Sequence, residues 1–515
     1  MVTALLFLSK ILGFVRETVI AAYFGTSMVA DAYQIATMIP IVIFDAVAVA
    51  LAVTFIPVFT DVFTEYGEEE AKKFVRELAA TVTWVVFVLT LLGLIFSPYI
   101  VKLIAPGFTA EKYRITVELT RILLPLIIFR VLAGLTSGYL NAKKRFLIPA
   151  LMGLALNFCV IGAMVFFAND WGIKSLAVGT LLGTAGMLLI QMPSALKNGL
   201  CMGLRPNLSN NYIRRIFYLS IPVFFSSAVN QVSFTVDRIM ASSLPTGAIS
   251  SLTYANRLNG FVLGIFVASL NTVFFPSLAE LASQKKTDEL KHTLRSIIKL
   301  TSLIVFPMMV GLMILRVPII KLLFERGSFD QYSTQQTAIA LLMFALGLSS
   351  FALRDVLNRV FYVLKDSKTP TYNAAIAVGF NIFLNFLLIK KMGHGGLALA
   401  TTLSGTFTVI LLFYSLRKKI GLIGGRDLLK ALSKLALAAC GMGFITWYLQ
   451  TYLPQPEPGN FTEGIRLFVI IGISASVYFG LGYCLGVQEI RIFQQWIINK
   501  IKSWQLKIFK ENVTG

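Results

Sequence analysis

Apolar runs of about 20 residues recur along this chain from one end to the other, and no long polar stretch separates them. A run of that length crosses roughly 30 Å of hydrocarbon as a helix. Inside a bilayer no water is at hand to pair backbone N–H and C=O groups, so a spanning segment of this hydrophobicity has to be helical. The sequence therefore predicts an all-α polytopic membrane protein. About 14 spans can be placed, near residues 2–24, 31–58, 78–105, 118–141, 148–168, 173–196, 213–242, 250–280, 295–324, 335–364, 370–390, 396–416, 429–452 and 464–487. Composition agrees, with 56% hydrophobic and only 14% charged residues. The first run is not read as a signal peptide: no basic region precedes it, and Lys10 and Arg16 interrupt its core.

The net charge of +21 would suggest nucleic acid in a soluble protein. In a membrane protein it points to basic loops and basic cavities, and no nucleic-acid partner is expected. With the N-terminus in the cytoplasm, the inside loops collect Lys72, Lys73 and Arg76, then Lys143, Lys144 and Arg145, then Lys365 and Lys368, and Arg417, Lys418 and Lys419. The outside loops hold few, such as Lys112, Arg114, Lys174 and Arg326. This asymmetry places both termini inside. The tail after Gly486 has a helical apolar face with interspersed lysines, the pattern of a basic amphipathic helix on the inner surface. Cys159, Cys201, Cys440 and Cys484 are scattered, and His292 and His394 lie far apart. That leaves no catalytic triad or His/Cys metal site to expect, and the chain is read as a transporter rather than an enzyme.

The chain also repeats itself. PYIVKLIAPGF at Pro98–Phe108 returns as PIIKLLFERGSF at Pro318–Phe329, and GYLNAKKRFLIP at Gly138–Pro149 returns as FYVLKDSKTP at Phe361–Pro370. IPVF at Ile56–Phe59 returns as FPSL at Phe275–Leu278, and Tyr33 matches Tyr254. The spacing stays near 220 residues throughout. Six spans per repeat is an even number, so the two halves run in the same orientation, a transporter architecture with its substrate site between halves. The expected organisation is two pseudo-symmetric six-helix lobes at 1–200 and 201–420, two further helices at 421–487, and the basic tail at 488–515.

The first run carries Lys10, Arg16 and Glu17. A charge at the middle of a lipid-facing helix costs about 2.5–3.5 kcal/mol, so such groups face a bundle interior or a water-filled cavity. Arg16 and Glu17 sit mid-span, which makes this helix a cavity wall. Other intramembrane charges have structural readings: Asp31, Arg238 and Arg359 lie near helix ends and can snorkel, and Arg354 and Asp355 can pair with neighbours. Arg257, in TYANRLNGF of the second repeat, has no cationic counterpart in the first. Arginine forms planar, bidentate contacts with phosphate oxygens, so an arginine from each repeat would clamp a phosphate or pyrophosphate.

SKILGFVRE, FGTSMVADAY, TYANRL, FFPSLAEL, LLFERGSFD and RVFYVLKDSKTP together resemble the MurJ/MviN lipid II flippase family, within the multidrug/oligosaccharidyl-lipid/polysaccharide exporter superfamily. The resemblance covers nearly the whole chain. It implies translocation of the undecaprenyl-pyrophosphate-linked peptidoglycan precursor across the bacterial cytoplasmic membrane by alternating access, with the two extra helices forming a groove for the lipid tail. By the same resemblance the cationic substrate positions fall on Lys10 and Arg16, with Glu17 as acidic partner. Asp31 matches a motif position, Asn157 a polar cavity position and Arg257 the cavity arginine of the eighth helix. A sodium site is implied at Asp237, Asn381, Asn385 and Thr401 with the Leu397 carbonyl. The energy source would be sodium, protons or the membrane potential, and no other cofactor is expected. The partners implied are lipid II, membrane lipids and cell-wall synthesis proteins. This sequence departs from the family at Lys10, where an arginine is usual, at Asn385, where a carboxylate can stand, and around Asp45, which replaces an arginine-rich turn. The alternatives are a flippase for another undecaprenyl-linked glycan, a drug/cation antiporter, which would need an acidic cavity, and a non-transporting scaffold.

Overall fold

A computed structural model describes residues 2–200, 203, 205–207, 209–454 and 460–490. Among these the chain is helical from end to end, with no strand. Among the described residues seven helices are long and apolar enough to span a membrane, or eight if the pair Gln331–Leu346 and Leu348–Val363, bent by 46°, counts as one. Large apolar side chains face outward without a protein partner, Phe166 at 76% exposure and Phe468 at 79%. Such a surface is tolerated in lipid, not in water. This is an integral membrane protein.

In two expected pairs of spans the helices extend until they meet at a single glycine break. Met28–Ile104 runs for 77 residues, broken at Gly67, where φ is 84° and ψ is −176°. Helix resumes directly after Gly67 because EEEAKKFVREL lines up charges at helical spacing: Lys72 meets Glu69 at 2.9 Å and Lys73 meets Glu70 at 3.3 Å. Lys368–Ile420 is likewise one run broken at Gly393. Elsewhere a single expected span is split. Pro125 separates Ala110–Leu123 from Leu126–Ala142, and a π-helical segment, Leu263–Val267, separates Ala248–Val262 from Ala268–Ser283.

The internal repeat is written into the backbone. Gly172 (φ 53°, ψ −136°) and Gly393 (φ 55°, ψ −133°) make the same break 221 positions apart. Lys144 and Lys365, also 221 apart, both adopt a left-handed conformation, at φ 60° and 58°. Each closes a helix with the same two bonds. The amides of Arg145 and Lys144 donate to the carbonyls of Leu140 and Asn141, and those of Asp366 and Lys365 donate to Phe361 and Tyr362. This is the paired Schellman closure, with lysine where glycine is usual.

The chain divides into two compact units. The first takes Met1–Tyr254 with Leu323–Thr337 and Val378–Leu397. Its core is built from Ile20, Phe24, Tyr33, Leu123, Met164 and Leu176. The second takes Ala255–Leu322, Ala338–Ala377 and Ala398 onward. One of its cores joins Leu294 and Ile298 to Leu357, Phe361 and Leu412, and another joins Leu303, Leu435, Met442 and Tyr478. In its connecting turn the Lys419 ammonium, 2.6 Å from Asp366, and the Thr369 amide and hydroxyl hold the Asp366 carboxyl down at about 2. Of the expected amphipathic tail, Gln488–Ile490 is helical, and 491–515 lies outside the described residues.

Candidate functional site

The first helix, Val2–Phe24, ends at Gly25, whose φ of 54° leaves the helical region. The space demands glycine as well, since a Cβ there would stand 2.2 Å from the Ser328 carbonyl oxygen. Several turns interlock around this point in the first unit. The Ser328 amide donates to Ala22 O at 2.8 Å, Thr26 and Ser333 share a hydroxyl bond of 2.7 Å, and Tyr254 donates to Gly25 O at 3.2 Å. A Cβ on Gly247 would meet Thr26 O at 2.7 Å. One end of the first unit is therefore closed by backbone packed on backbone.

Along the helix, Arg16 donates from Nη2 to Glu17 Oε1 at 2.6 Å. Arg16 is half-buried and Glu17 buried. Arg16 Nε is also buried and has no hydrogen-bond partner. The guanidinium thus keeps donor capacity in a low-dielectric setting, where an unmet donor is costly and an anion would satisfy it. Lys10 is exposed. Asn157 is brought to the same helix, with Nδ2 donating to Ser9 O at 3.0 Å. Small residues allow the approach: Gly13 faces Asn157, and a Cβ on Gly153 would collide with Ser9 Oγ.

Asp31 does not snorkel. It is fully buried and accepts four hydrogen bonds, from Lys112 Nζ (2.8 Å), the Gly247 and Ser250 amides (2.8 Å each) and Ser250 Oγ (2.7 Å). The carboxylate caps the start of the helix Ala248–Val262 from another element, a favourable place for negative charge. Lys112, expected in an outside loop, is 5% exposed, salt-bridged to Asp31 and 4.3 Å from the Phe108 ring centre. Asp31 thus fastens elements together. Nothing in the sequence marked Lys112 as its counter-ion, because the two are 81 residues apart. Arg238 does not snorkel either: it is buried, donates to Ile249 O at 2.8 Å and covers the Phe234 ring. Arg354 and Asp355 do pair, at 3.6 Å. Arg257 is exposed and belongs to the second unit.

Three of the expected sodium positions come together in the first unit. Asn385 Nδ2 donates to Asp237 Oδ1 at 2.6 Å and to Asn381 Oδ1 at 3.3 Å, and Ser233 donates to the latter at 2.9 Å. Asn385 Oδ1 is buried without a partner. Asn381 Nδ2 is orphaned beside it, and the carboxylate and amide oxygens of this group are of the type that suits a hard cation such as sodium. Leu397 is buried in the same unit, and Thr401 is half-buried in the second. Among the described residues no cluster of His, Cys, Asp or Glu suits a transition metal.

The second unit holds an apolar groove of about 620 Å³. Val262 and Phe266, Leu303 and Pro307, Met442, and Ile471 and Phe479 contribute from four stretches of helix. The polar groups along it are satisfied internally: Tyr478 donates to Leu303 O at 3.0 Å and Thr446 to Ser474 at 2.8 Å. What remains is a hydrocarbon wall suited to an acyl or prenyl chain.

Residues 20–463 match the family model described as lipid II flippase MurJ. A probable lipid II flippase MurJ from Buchnera aphidicola subsp. Schizaphis graminum is 30% identical over 500 residues, covering 95% of this chain and 97% of its own. The lipid II flippase MurJ of Burkholderia cenocepacia is 30% identical over 424 residues, covering 80% of this chain and 82% of its own. Among solved structures, a lipid II flippase MurJ in an inward closed conformation is similar with a TM-score of 0.79 and 27% identity, over 93% of this chain and 98% of its own. An inward-facing multidrug transporter of the MATE family shares the fold at a TM-score of 0.65 and 15% identity, over 81% of this chain and 95% of its own. With the family model matched over most of its length, the chain belongs to the lipid II flippase MurJ family.

Proposed function

We propose that this protein carries lipid II, the undecaprenyl-pyrophosphate-linked disaccharide pentapeptide, from the inner to the outer leaflet of the bacterial cytoplasmic membrane. The observation that carries the reading is Arg16, a mid-helix guanidinium with a buried, unpartnered Nε beside Glu17. Its binding partner is an anion with several acceptor oxygens, and the diphosphate of lipid II has that chemistry. Lys10 adds positive charge to the diphosphate, Asn157 sets the helix that carries Lys10 and Arg16, and Arg257 is a further cationic position required for transport. The prenyl tail follows the apolar groove of the last two helices. The protein performs no covalent chemistry. It alternates access between two six-helix lobes, with both termini cytoplasmic. Asp237, Asn381 and Asn385, with the Leu397 carbonyl, would hold a sodium ion. When bound, such an ion would compensate the charge of Asp237. The membrane potential contributes as well, at about 2.3 kcal/mol per charge per 100 mV.

The test is replacement of the native flippase in a depletion strain, with exposure of lipid II on the outer leaflet as the readout. The wild-type chain restores exposure and growth, whereas Arg16→Glu abolishes both at unchanged membrane level. Full activity of both Arg16→Glu and Arg257→Glu would sink the proposal. A cell-free comparison with another undecaprenyl-diphosphate glycan separates lipid II from that substrate class.

A further inference from the structure

At one end of the second unit a polar cavity of about 390 Å³ opens between three segments: the helix Thr287–Ile314, the start of the helix Gly425–Tyr452, and Gly486–Glu489 after the last span. Four cations line it, Arg295, Lys299, Lys430 and Lys434, against two carboxylates, Asp427 and Glu489. Glu489 is taken up by Lys299, 3.1 Å away. Among the described residues no carboxylate pairs with Arg295, Lys430 or Lys434. Arg295 is held in place by its neighbour: a Cβ on Gly424 would lie 2.7 Å from Nη1, and Gly424 sits at φ 79°, so the guanidinium lies close over bare backbone. Its Nε is buried with no hydrogen-bond partner. The 28-residue helix that begins at Gly425 has no side-chain cap, so its first amides add positive potential to the same cavity.

We propose that this cavity is a binding site for a phosphate group, and that its ligand is the phosphodiester of an anionic membrane phospholipid. Excess cationic charge, an unmet guanidinium donor and an uncapped helix start all select a multivalent oxyanion. A lipid source follows from the surroundings. Leu429 and Leu437, on the helix that supplies Lys430 and Lys434, are 69% and 62% exposed and offer an apolar track for acyl chains. Basic pockets between membrane helices take anionic headgroups in this way. These residues are distinct from those assigned to lipid II, so the site stands or falls independently of the transport reading.

The full-length protein is titrated in detergent with phosphatidylglycerol, with phosphatidylcholine and with inorganic phosphate, and binding is read by thermal stabilisation and by native mass spectrometry. Phosphatidylglycerol binds the wild type in preference to phosphatidylcholine. Lys430→Gln with Lys434→Gln weakens that binding roughly 25-fold, about fivefold per lysine, and leaves the melting temperature in phosphatidylcholine unchanged. Lys430→Arg with Lys434→Arg retains binding. Equal stabilisation by inorganic phosphate, lost in the Gln variant, upholds the phosphate site and assigns it a soluble ligand. Phosphatidylglycerol binding that is undiminished in the Gln variant, or no response of the wild type to either anion, overturns the proposal.

Discussion

Replacing the Asp31 carboxylate by an amide leaves the ammonium of Lys112 buried without a counter-charge, and sets an NH2 donor against either the Gly247 or the Ser250 amide. An unpaired buried charge is worth about 3–5 kcal/mol against the fold. Asp31→Asn is therefore expected to lower thermal stability sharply. Asp31→Asn with Lys112→Met recovers much of the loss, because the second change removes the stranded charge. A double-mutant cycle read by thermal unfolding in detergent checks this, and additive losses would contradict the pairing. Arg16 and Glu17 form a different kind of pair. They are adjacent on one helix, with Glu17 buried and Arg16 half-buried, and they leave Arg16 Nε unmet, which suits ligand contact better than stability. The sequence placed Arg16 and Glu17 within the membrane, but it set Asp31 at a helix end and Lys112 in an outside loop. It distinguished neither fastening from binding, because that depends on which residue far away in sequence supplies the partner.

At the scale of elements, the breaks matter as much as the helices. Gly172 and Gly393 hold nearly identical positive-φ conformations, and a Cβ at either would touch nothing within 4 Å. The whole cost of a side chain there is backbone strain, of order 1–3 kcal/mol. Gly172→Ala and Gly393→Ala are each expected to lower thermal stability by that amount, equally, as the repeat requires. Lys365→Gly acts in the opposite direction, by relieving a left-handed lysine. Unfolding of the three variants in one detergent reads all three signs. The spans and the repeat were legible because hydrophobic length and spacing are local. The extension of both helices up to the break at Gly67 was not, since a charged, glycine-containing stretch reads as a loop until its Glu and Lys side chains are seen paired. The π segment Leu263–Val267 left no trace in composition.

For the whole molecule, the apolar groove of the second unit gives a test that does not touch the charged residues. Gly311 lines it, and a Cβ there has open space around it. Gly311→Leu is expected to fill the groove without displacing protein atoms. It should cut lipid II exposure in the depletion strain severalfold while stability holds or rises slightly, by about 1 kcal/mol from added apolar contact. Unchanged transport would remove the groove from the tail's path. The sequence by itself determined the solvent, the helical class, the repeat and the family, because each follows from hydrophobic length, spacing and motif, which are properties of the chain in order. Tertiary structure alone decided that Asp31 is bound to Lys112 and to the start of a helix more than 200 residues on, that Asp237, Asn381 and Asn385 meet, and that Arg295 is left unmet beside two lysines. Hydrogen bonds and ion pairs act over about 3 Å in space, and no distance along a sequence fixes that.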